Sequence, residues 1–321
     1  MIDFPSIPTI KYDLTVVGDA YVELAAIEGQ LHEAKTFERR LGGSAAHVAV
    51  FANMLGSSTT CIAALGADAL GTFVQNTLRS KGVNVSGLQF SREHPTTLLL
   101  SARTGKLIQT TWYRSADWQL QNTKEHISLA QASRIVYASG FSLWKHPARH
   151  SVFEILRLTK KTNNITVLHP AYEPAIWRDR NDAATTIKKT LQFSDIATPT
   201  IDDAEHLFGK VPAEDLVRNY HDFGVETVIL FMGREGCLLS RHGSMESVPA
   251  IPAQAVDPAG VHEAWHAGLF FAMNAEKELA TAVRFANAVA AWVLQQPGSL
   301  VDIPDADTIS RDLLKRPFDD V

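Results

Sequence analysis

The chain lacks most of the features that would mark a secreted, membrane-bound or nucleic-acid-binding protein. It has only two cysteines in 321 residues, Cys61 and Cys237, and both stand in apolar segments. Buried free thiols in a reducing compartment are therefore expected, rather than a disulfide or a cysteine-built metal site. Thirty basic residues face 35 acidic ones, for a net charge of −5. The chain thus lacks the basic footprint of a nucleic-acid binder and the polybasic stretch of a membrane-surface protein. No run approaches the roughly 20 apolar residues of a membrane span. The first 13 residues contain two prolines and acidic residues but no apolar core, so no signal peptide is read there. Together these absences predict a soluble, cytoplasmic protein.

What is present is the pattern of an α/β protein. Hydrophobic residues make up 45% of the chain, enough to build a large core. Residues 13–18 read as a buried strand ending at Gly18. Residues 22–40 are more polar and read as short strands or a lid. Residues 45–55 form a helix that is apolar nearly all round, with Ser44 as its N-cap and Gly56 as its stop. Residues 59–65 read as a strand. A helical stripe through Leu70, Phe73, Val74 and Leu78 ends at Gly82. Residues 96–101 and 107–113 read as a hairpin turning at 103–106. Strands at 134–139, 165–168, 194–197 and 227–232 then alternate with helices at 151–158, 183–191, 201–208 and 213–223. Residues 280–293 form a last apolar-faced helix. Such alternation predicts a mostly parallel sheet covered by helices. No repeat or linker interrupts it, so one α/β domain over 1–321 with a small β excursion is expected.

The chemistry concentrates at Asp257-Pro258-Ala259-Gly260-Val261-His262-Glu263-Ala264-Trp265-His266. A loop here enters an apolar helix. A helix start offers unpaired N–H groups and a partial positive charge, which suit an anion. A carboxylate at the same place can act as a base. The same residues contain a literal His-Glu-x-x-His string, whose histidines share one helix face as in zinc peptidases. A third ligand for such a site is not evident, because Glu276 and Glu278 follow too closely.

Several motifs in order favour the anion reading. Gly42-Gly43-Ser44-Ala45-Ala46-His47-Val48-Ala49 is followed by Leu55-Gly56 and by Gly66-Ala67-Asp68-Ala69-Leu70-Gly71. Gly233-x-x-Gly236 follows a strand. Asp257-x-x-Gly260-Val261-His262-Glu263 enters a helix, and Phe285-Ala286-Asn287-Ala288 and Gln296-Pro297-Gly298 close the series. Taken together, this order resembles the PfkB family of carbohydrate kinases, over about residues 13–298. The resemblance implies a ribokinase-like three-layer sandwich with a mostly parallel central sheet. It also implies a small β lid from about 20–40 and 93–116, and ATP-dependent transfer to a hydroxyl of a sugar or nucleoside. ATP and Mg²⁺ are the implied cofactors, and a homodimer through the lid is the implied assembly.

The resemblance also assigns roles. Glu23, Gly42, Gly43 and His47 would bind the acceptor. Thr200, Gly233, Gly236, Asp257 and Asn287 would bind the nucleotide. Asp203 would hold Mg²⁺ through water. Gly260, Val261 and His262 would form the anion hole, with Glu263 as the base. Several of these depart from the family pattern. Glu23 and Glu263 replace Asp, His47 replaces Asn, and Thr200 and Asp203 replace the Asn and Glu of an Asn-x-x-Glu motif. His169-Pro170-Ala171-Tyr172-Glu173 replaces Asp-Pro-Asn-x-Arg, so Glu173 reverses a charge. His262 replaces Gly and is expected to place a side chain where backbone meets phosphate, with strain if its φ is positive. Two alternatives follow. One is a binding or scaffold protein that keeps the fold without the reaction. The other is a metal site built from His262 and His266, or from His47, His169 and His262. Trp112, Tyr113 and Trp118 could stack on an acceptor, but core or interface packing is the expected use.

Overall fold

The computed structural model describes residues 9–105, 107–162, 164–174, 176–177 and 179–321. The chain runs β1 (Tyr12–Val17), β2 (Tyr21–Ala26), β3 (Phe37–Gly42), α1 (Ser44–Met54), β4 (Thr59–Gly66), α2 (Ala69–Ser80) and β5 (Leu88–Ser91). The hairpin β6 (Leu98–Thr104) and β7 (Leu107–Tyr113) follows, then α3 (Lys124–Gln131), β8 (Ser133–Ser139), α4 (Ala148–Thr159), β9 (Ile165–His169) and α5 (Arg180–Leu191). Next come β10 (Ile196–Ala197), α6 (Ile201–Phe208), α7 (Ala213–His221), β11 (Thr227–Phe231), β12 (Cys237–Arg241) and β13 (Ser244–Val248). Helices α8 (Val261–Asn274), α9 (Leu279–Leu294) and the short α10 (Ala306–Ile309) complete the chain.

Two sheets result. The larger has nine strands in the order β13-β12-β11-β10-β9-β8-β1-β4-β5. Its strands are parallel except β12 and β13, which join antiparallel. Every residue of β4 is buried, as expected for a strand covered on both faces. One face carries α1, α8 and α9, whose apolar residues share a core with β1 and β4. The other carries α3 to α7 and a second core built around Val136, Leu168 and Val228. The architecture is thus a three-layer α/β sandwich. Helix α1 is apolar nearly all round because it lies between the sheet and α8, with Ala45 through Ala52 buried.

The smaller sheet has the order β3-β2-β6-β7 and is built from residues 21–42 and 98–113. The hairpin read at 96–113 is present as β6 paired with β7, though Lys106 of its turn lies outside the described residues. Three local details differ from the sequence reading. Ser44 is the first residue of α1, and Gly43 takes the cap position at φ 112°. There a Cβ would lie 2.3 Å from the Asp19 carbonyl oxygen, so only glycine fits. The β12–β13 hairpin and the edge strand β5 were not anticipated. Much of β13 is exposed and polar, and it shows no period-two apolar pattern.

Chain order places the site. From β1 the chain crosses to β4 and β5 on one side, then returns to β8 and β9 on the other. The strand order therefore switches between β1 and β8. In open parallel sheets, ligands bind in the crevice beyond the carboxyl ends at such a point.

Candidate active site

A cleft of about 480 Å³ opens there. Asp19 follows β1, Ser139 ends β8 with Phe141 just after it, and His169 ends β9; all four line the cleft. The smaller sheet contributes Tyr21, Glu23, Leu99 and Trp112 to its opposite wall. The starts of three helices also reach it, through Ser44 and His47 of α1, Thr200 and Asp203 of α6, and Gly260 and Glu263 of α8.

Gly260 caps α8 at φ 77° and ψ −5°, the left-handed conformation. A Cβ at this position would lie 2.0 Å from the Ser299 carbonyl oxygen. Glycine therefore lets the loop after α9 close against the start of α8. No side chain caps this helix and Val261 N makes only a long 3.5 Å bond to the Pro258 carbonyl, so the first turn can offer N–H groups to an anion beside the Glu263 carboxylate. Val261 packs inward against the core.

His262 sits differently from the expectation. It is an ordinary helical residue of α8 and is not among the residues with positive φ. Its ring turns away from the cleft onto Phe231 at 4.4 Å and His169 at 5.5 Å. It thus neither obstructs the anion position nor carries backbone strain. His266, one turn on, completes a ring cluster with the buried His169 and the half-buried His262, its centroid 5.0 Å from the first and 6.0 Å from the second. Both ring nitrogens of His266 are committed, Nδ1 to the His262 carbonyl and Nε2 to Thr198 Oγ1, each at 2.8 Å. Burial, reinforced by His169, pushes the His262 imidazole down to about 4. The same two causes carry His266 well below its ordinary value.

The hydrogen bonds of His266 rule out the His262–His266 metal reading, and the described residues do not gather His47, His169 and His262 into a metal site. His266 has no free nitrogen for the His-Glu-x-x-His site. His169 Nδ1 bonds the Thr198 carbonyl at 2.7 Å, and His47 Nε2 bonds the Leu41 carbonyl at 2.8 Å. Among the described residues, no group of three or more His, Cys, Asp or Glu is placed to hold a metal ion.

The remaining expected residues divide into two sets. Glu23 lines the cleft, and its carboxylate accepts from Ser101 Oγ on β6. Gly42, Gly43 and His47 also line it. Asp203 closes a capping box at α6, where Oδ2 accepts from Thr200 N at 3.0 Å and from Thr200 Oγ1 at 2.8 Å. Its Oδ1 accepts from Tyr172 N at 2.7 Å. Asp203 thereby ties the β9–α5 loop to α6, and the neighbouring Asp202 is the exposed carboxylate at this end.

Asp257 holds the loop before α8. Its Oδ1 accepts from Ala259 N at 3.0 Å and its Oδ2 from Gly298 N at 3.1 Å. Arg103 of β6 reaches it at 3.2 Å, linking the smaller sheet to this loop. Gly233 and Gly236 lie outside the cleft, in the turn from β11 to β12. Asn287 is not available to a nucleotide through its side chain. Its Oδ1 accepts from Trp265 Nε1 at 2.9 Å and its Nδ2 donates to the Pro249 carbonyl at 2.9 Å.

The main residue that sequence reasoning missed is Asp19. It is 2% exposed, and its Oδ2 accepts from Ser44 N at 2.6 Å. Its Oδ1 is buried without a hydrogen-bond partner. Burial raises its carboxyl above the usual range, opposed by the Ser44 N–H. A carboxylate directly after the Gly18 that ends a strand was the available signal. Trp112, expected in the core or an interface, instead faces the cleft beside Tyr21 and Phe141.

Comparisons with known proteins agree with this fold. The ATP-dependent 6-phosphofructokinase of Thermoanaerobacterium thermosaccharolyticum is 28% identical over 300 residues, covering 93% of both chains. The crystal structure of a PfkB protein from Polaromonas sp. JS666 superposes with a TM-score of 0.83 at 18% identity, covering 94% of this chain and 100% of that one. Halothermothrix orenii fructokinase superposes with a TM-score of 0.76 at 26% identity, covering 87% and 98%. The pfkB family carbohydrate kinase pattern matches residues 11–306. The chain therefore belongs to the PfkB family of carbohydrate kinases.

Proposed function

We propose that this protein transfers the γ-phosphoryl group of ATP to a hydroxyl of a small sugar-like acceptor. One observation carries the reading. The Glu263 carboxylate lines the cleft in the first turn of α8, a helix whose N-terminus has no side-chain cap. In this reading Glu263 takes the proton of the acceptor hydroxyl. The new O–P bond forms as the bond from Pγ to the β–γ bridging oxygen breaks, and ADP leaves. The N–H groups of the first turn of α8 stabilise the charge on the transferring group.

Glu23, Gly42, Gly43 and His47 lie at the acceptor end, and Thr200 and Asp202 at the nucleotide end. The carboxylates of Asp202 and Asp203 suit a hydrated Mg²⁺ carried by the nucleotide, since oxygen ligands and retained waters are what that ion prefers. Such an ion would neutralise phosphate charge. Because Asp203 already accepts from Thr200 and Tyr172, Asp202 would be the freer carboxylate to help hold such an ion.

The smaller sheet serves as a lid and, in this reading, as a dimer surface. Ile27, Leu107, Ile108 and Tyr113 on it are each more than half exposed. Among the described residues, no helix is long and apolar enough to cross a membrane. With two buried free thiols, the chain suits a reducing cytoplasm.

The test is ³¹P NMR of ATP and Mg²⁺ incubated with the protein and a panel of sugars and nucleosides. ADP and a new phosphomonoester appearing together support the reading. ATP binding by calorimetry, with no ADP formed above the protein-free rate for any acceptor, favours the non-catalytic alternative.

A further inference from the structure

We propose that Arg103 is a positioning residue for the transfer. Its ion pair with Asp257 latches the smaller sheet onto the loop that opens α8, so that closing the cleft and setting the anion-binding turn are one event. The proposal rests on the kinase reading above and adds to it how the site is assembled.

The alternation of β6 puts Arg103 in place. Side chains two apart on a strand share a face. Leu99 lines the cleft, Ser101 donates from Oγ to the cleft carboxylate of Glu23, and Arg103 is the next residue on that face. Its Nη1 stands 3.2 Å from Asp257 Oδ1. Among the described residues, the other Arg–carboxylate pair of the smaller sheet, Arg40 with Glu38, stays within β3. Trp112 and Tyr21 also join the two sides through Phe141, at centroid distances of 5.1 and 6.1 Å, but they touch the loop after β8 and not the start of α8.

Asp257 carries the link onward. The same carboxylate accepts from Ala259 N and Gly298 N. Ala259 precedes Gly260, the cap of α8, and Gly298 precedes Ser299, whose carbonyl packs against Gly260. One carboxylate therefore joins the loop before α8, the loop after α9 and, through Arg103, the smaller sheet. Glu263 and the first-turn N–H groups lie within one turn of that junction.

The cleft lies between the smaller sheet and the strand ends of the larger one, so the latch must part to admit substrates and to release products. The strength of the pair suits that duty. The Arg103 side chain is 41% exposed and that of Asp257 23%. A pair so open to water shifts the balance between closed and open cleft by up to about fivefold, enough to favour closure without trapping it.

Hydrogen–deuterium exchange of the ligand-free protein tests the link without turnover. Arg103→Met should speed exchange in 98–104 and in 257–260 together, and Arg103→Lys should restore most of the protection. Arg218→Met, which breaks an ion pair inside α7, should change neither segment. In the transfer assay at low salt, Arg103→Met should lower kcat/KM about three- to fivefold. The gap to wild type should close in about 0.5 M NaCl, which screens an exposed pair. ADP should also outrun phosphorylated acceptor in this variant, because water reaches the γ-phosphate in a cleft that does not stay shut. Exchange in 257–260 unmoved by Arg103→Met overturns the latch. ATP affinity lowered by about tenfold or more in Arg103→Met also overturns it, since Arg103 would then hold phosphate directly. Linked exchange in the two segments, with no transfer by the wild-type protein to any acceptor, sinks the kinase reading and sustains the latch.

Discussion

Replacing Gly260 by alanine, read against a matched control glycine, should separate the effect of a collision at the start of α8 from that of backbone strain alone. At φ 77° an L-residue is strained by about 1–2 kcal/mol. The added Cβ would also stand 2.0 Å from the Ser299 carbonyl oxygen, where real Cβ contacts essentially never fall below 3.0 Å. Backbone must therefore move by about 1 Å, either at the start of α8 or in the loop after α9, and a displacement of that order can cost about 10²-fold in rate. Gly224→Ala is the control. Its φ is 87° and nothing lies within 4 Å of the added Cβ, so it carries the backbone strain without the collision. Urea unfolding and steady-state ADP release should show both variants destabilised by about 1–3 kcal/mol. Only Gly260→Ala should lose about 10²-fold in kcat. Wild-type kcat in Gly260→Ala, or an equal loss in Gly224→Ala, would refute the claim that the start of α8 is held in place by this close contact.

Three further outcomes follow from the same geometry. His262, pushed down to about 4, and His266, held well below 6.5, stay neutral when folded but bind protons near pH 6.5 when unfolded. The unfolded chain thus binds more protons between about pH 4 and 6.5, so their stabilisation is complete above that window and is lost as pH falls through it. The urea midpoint should be lower at pH 5 than at pH 7.5, and equal midpoints would contradict the neutral histidine cluster. Asp203→Ala should destabilise by about 1–3 kcal/mol because Thr200 N, Thr200 Oγ1 and Tyr172 N all lose their acceptor. A loss in urea unfolding indistinguishable from zero would contradict its place as the tie between α6 and the β9–α5 loop. Cys61 and Cys237 should resist a thiol reagent until the protein unfolds, since both are fully buried and burial pushes the Cys61 thiol up to about 12. Rapid labelling of the native protein would contradict this packing.

The parts of the fold that were legible rest on local signals. Helix α8 announced itself by a Gly followed by an apolar run, and the strand–helix alternation after residue 130 foretold the parallel sheet. What escaped depends on distant neighbours. The direction of His262 is decided by Phe231 at the end of β11 and His169 at the end of β9, and neither is near it in sequence. Asn287 looked free for a nucleotide because its partners, Trp265 and Pro249, are 22 and 38 residues away. Asp19 is hidden in the sequence because the family motif places its acidic residue four positions on, at Glu23. The burial of Asp19 arises only when α1 docks its N-terminus against the end of β1, as the Ser44 N–H shows.

The most direct test of the central claim is turnover by Glu263→Gln. Glutamine keeps the shape and hydrogen-bonding reach of the side chain but cannot accept the acceptor's proton. The account predicts an unchanged urea midpoint, ATP binding within a factor of about two of wild type, and a kcat for phosphoryl transfer lowered by about 10²–10⁴-fold. Transfer at the wild-type rate in a properly folded Glu263→Gln protein would contradict the assignment of Glu263 as the base, and with it the mechanism built on the start of α8.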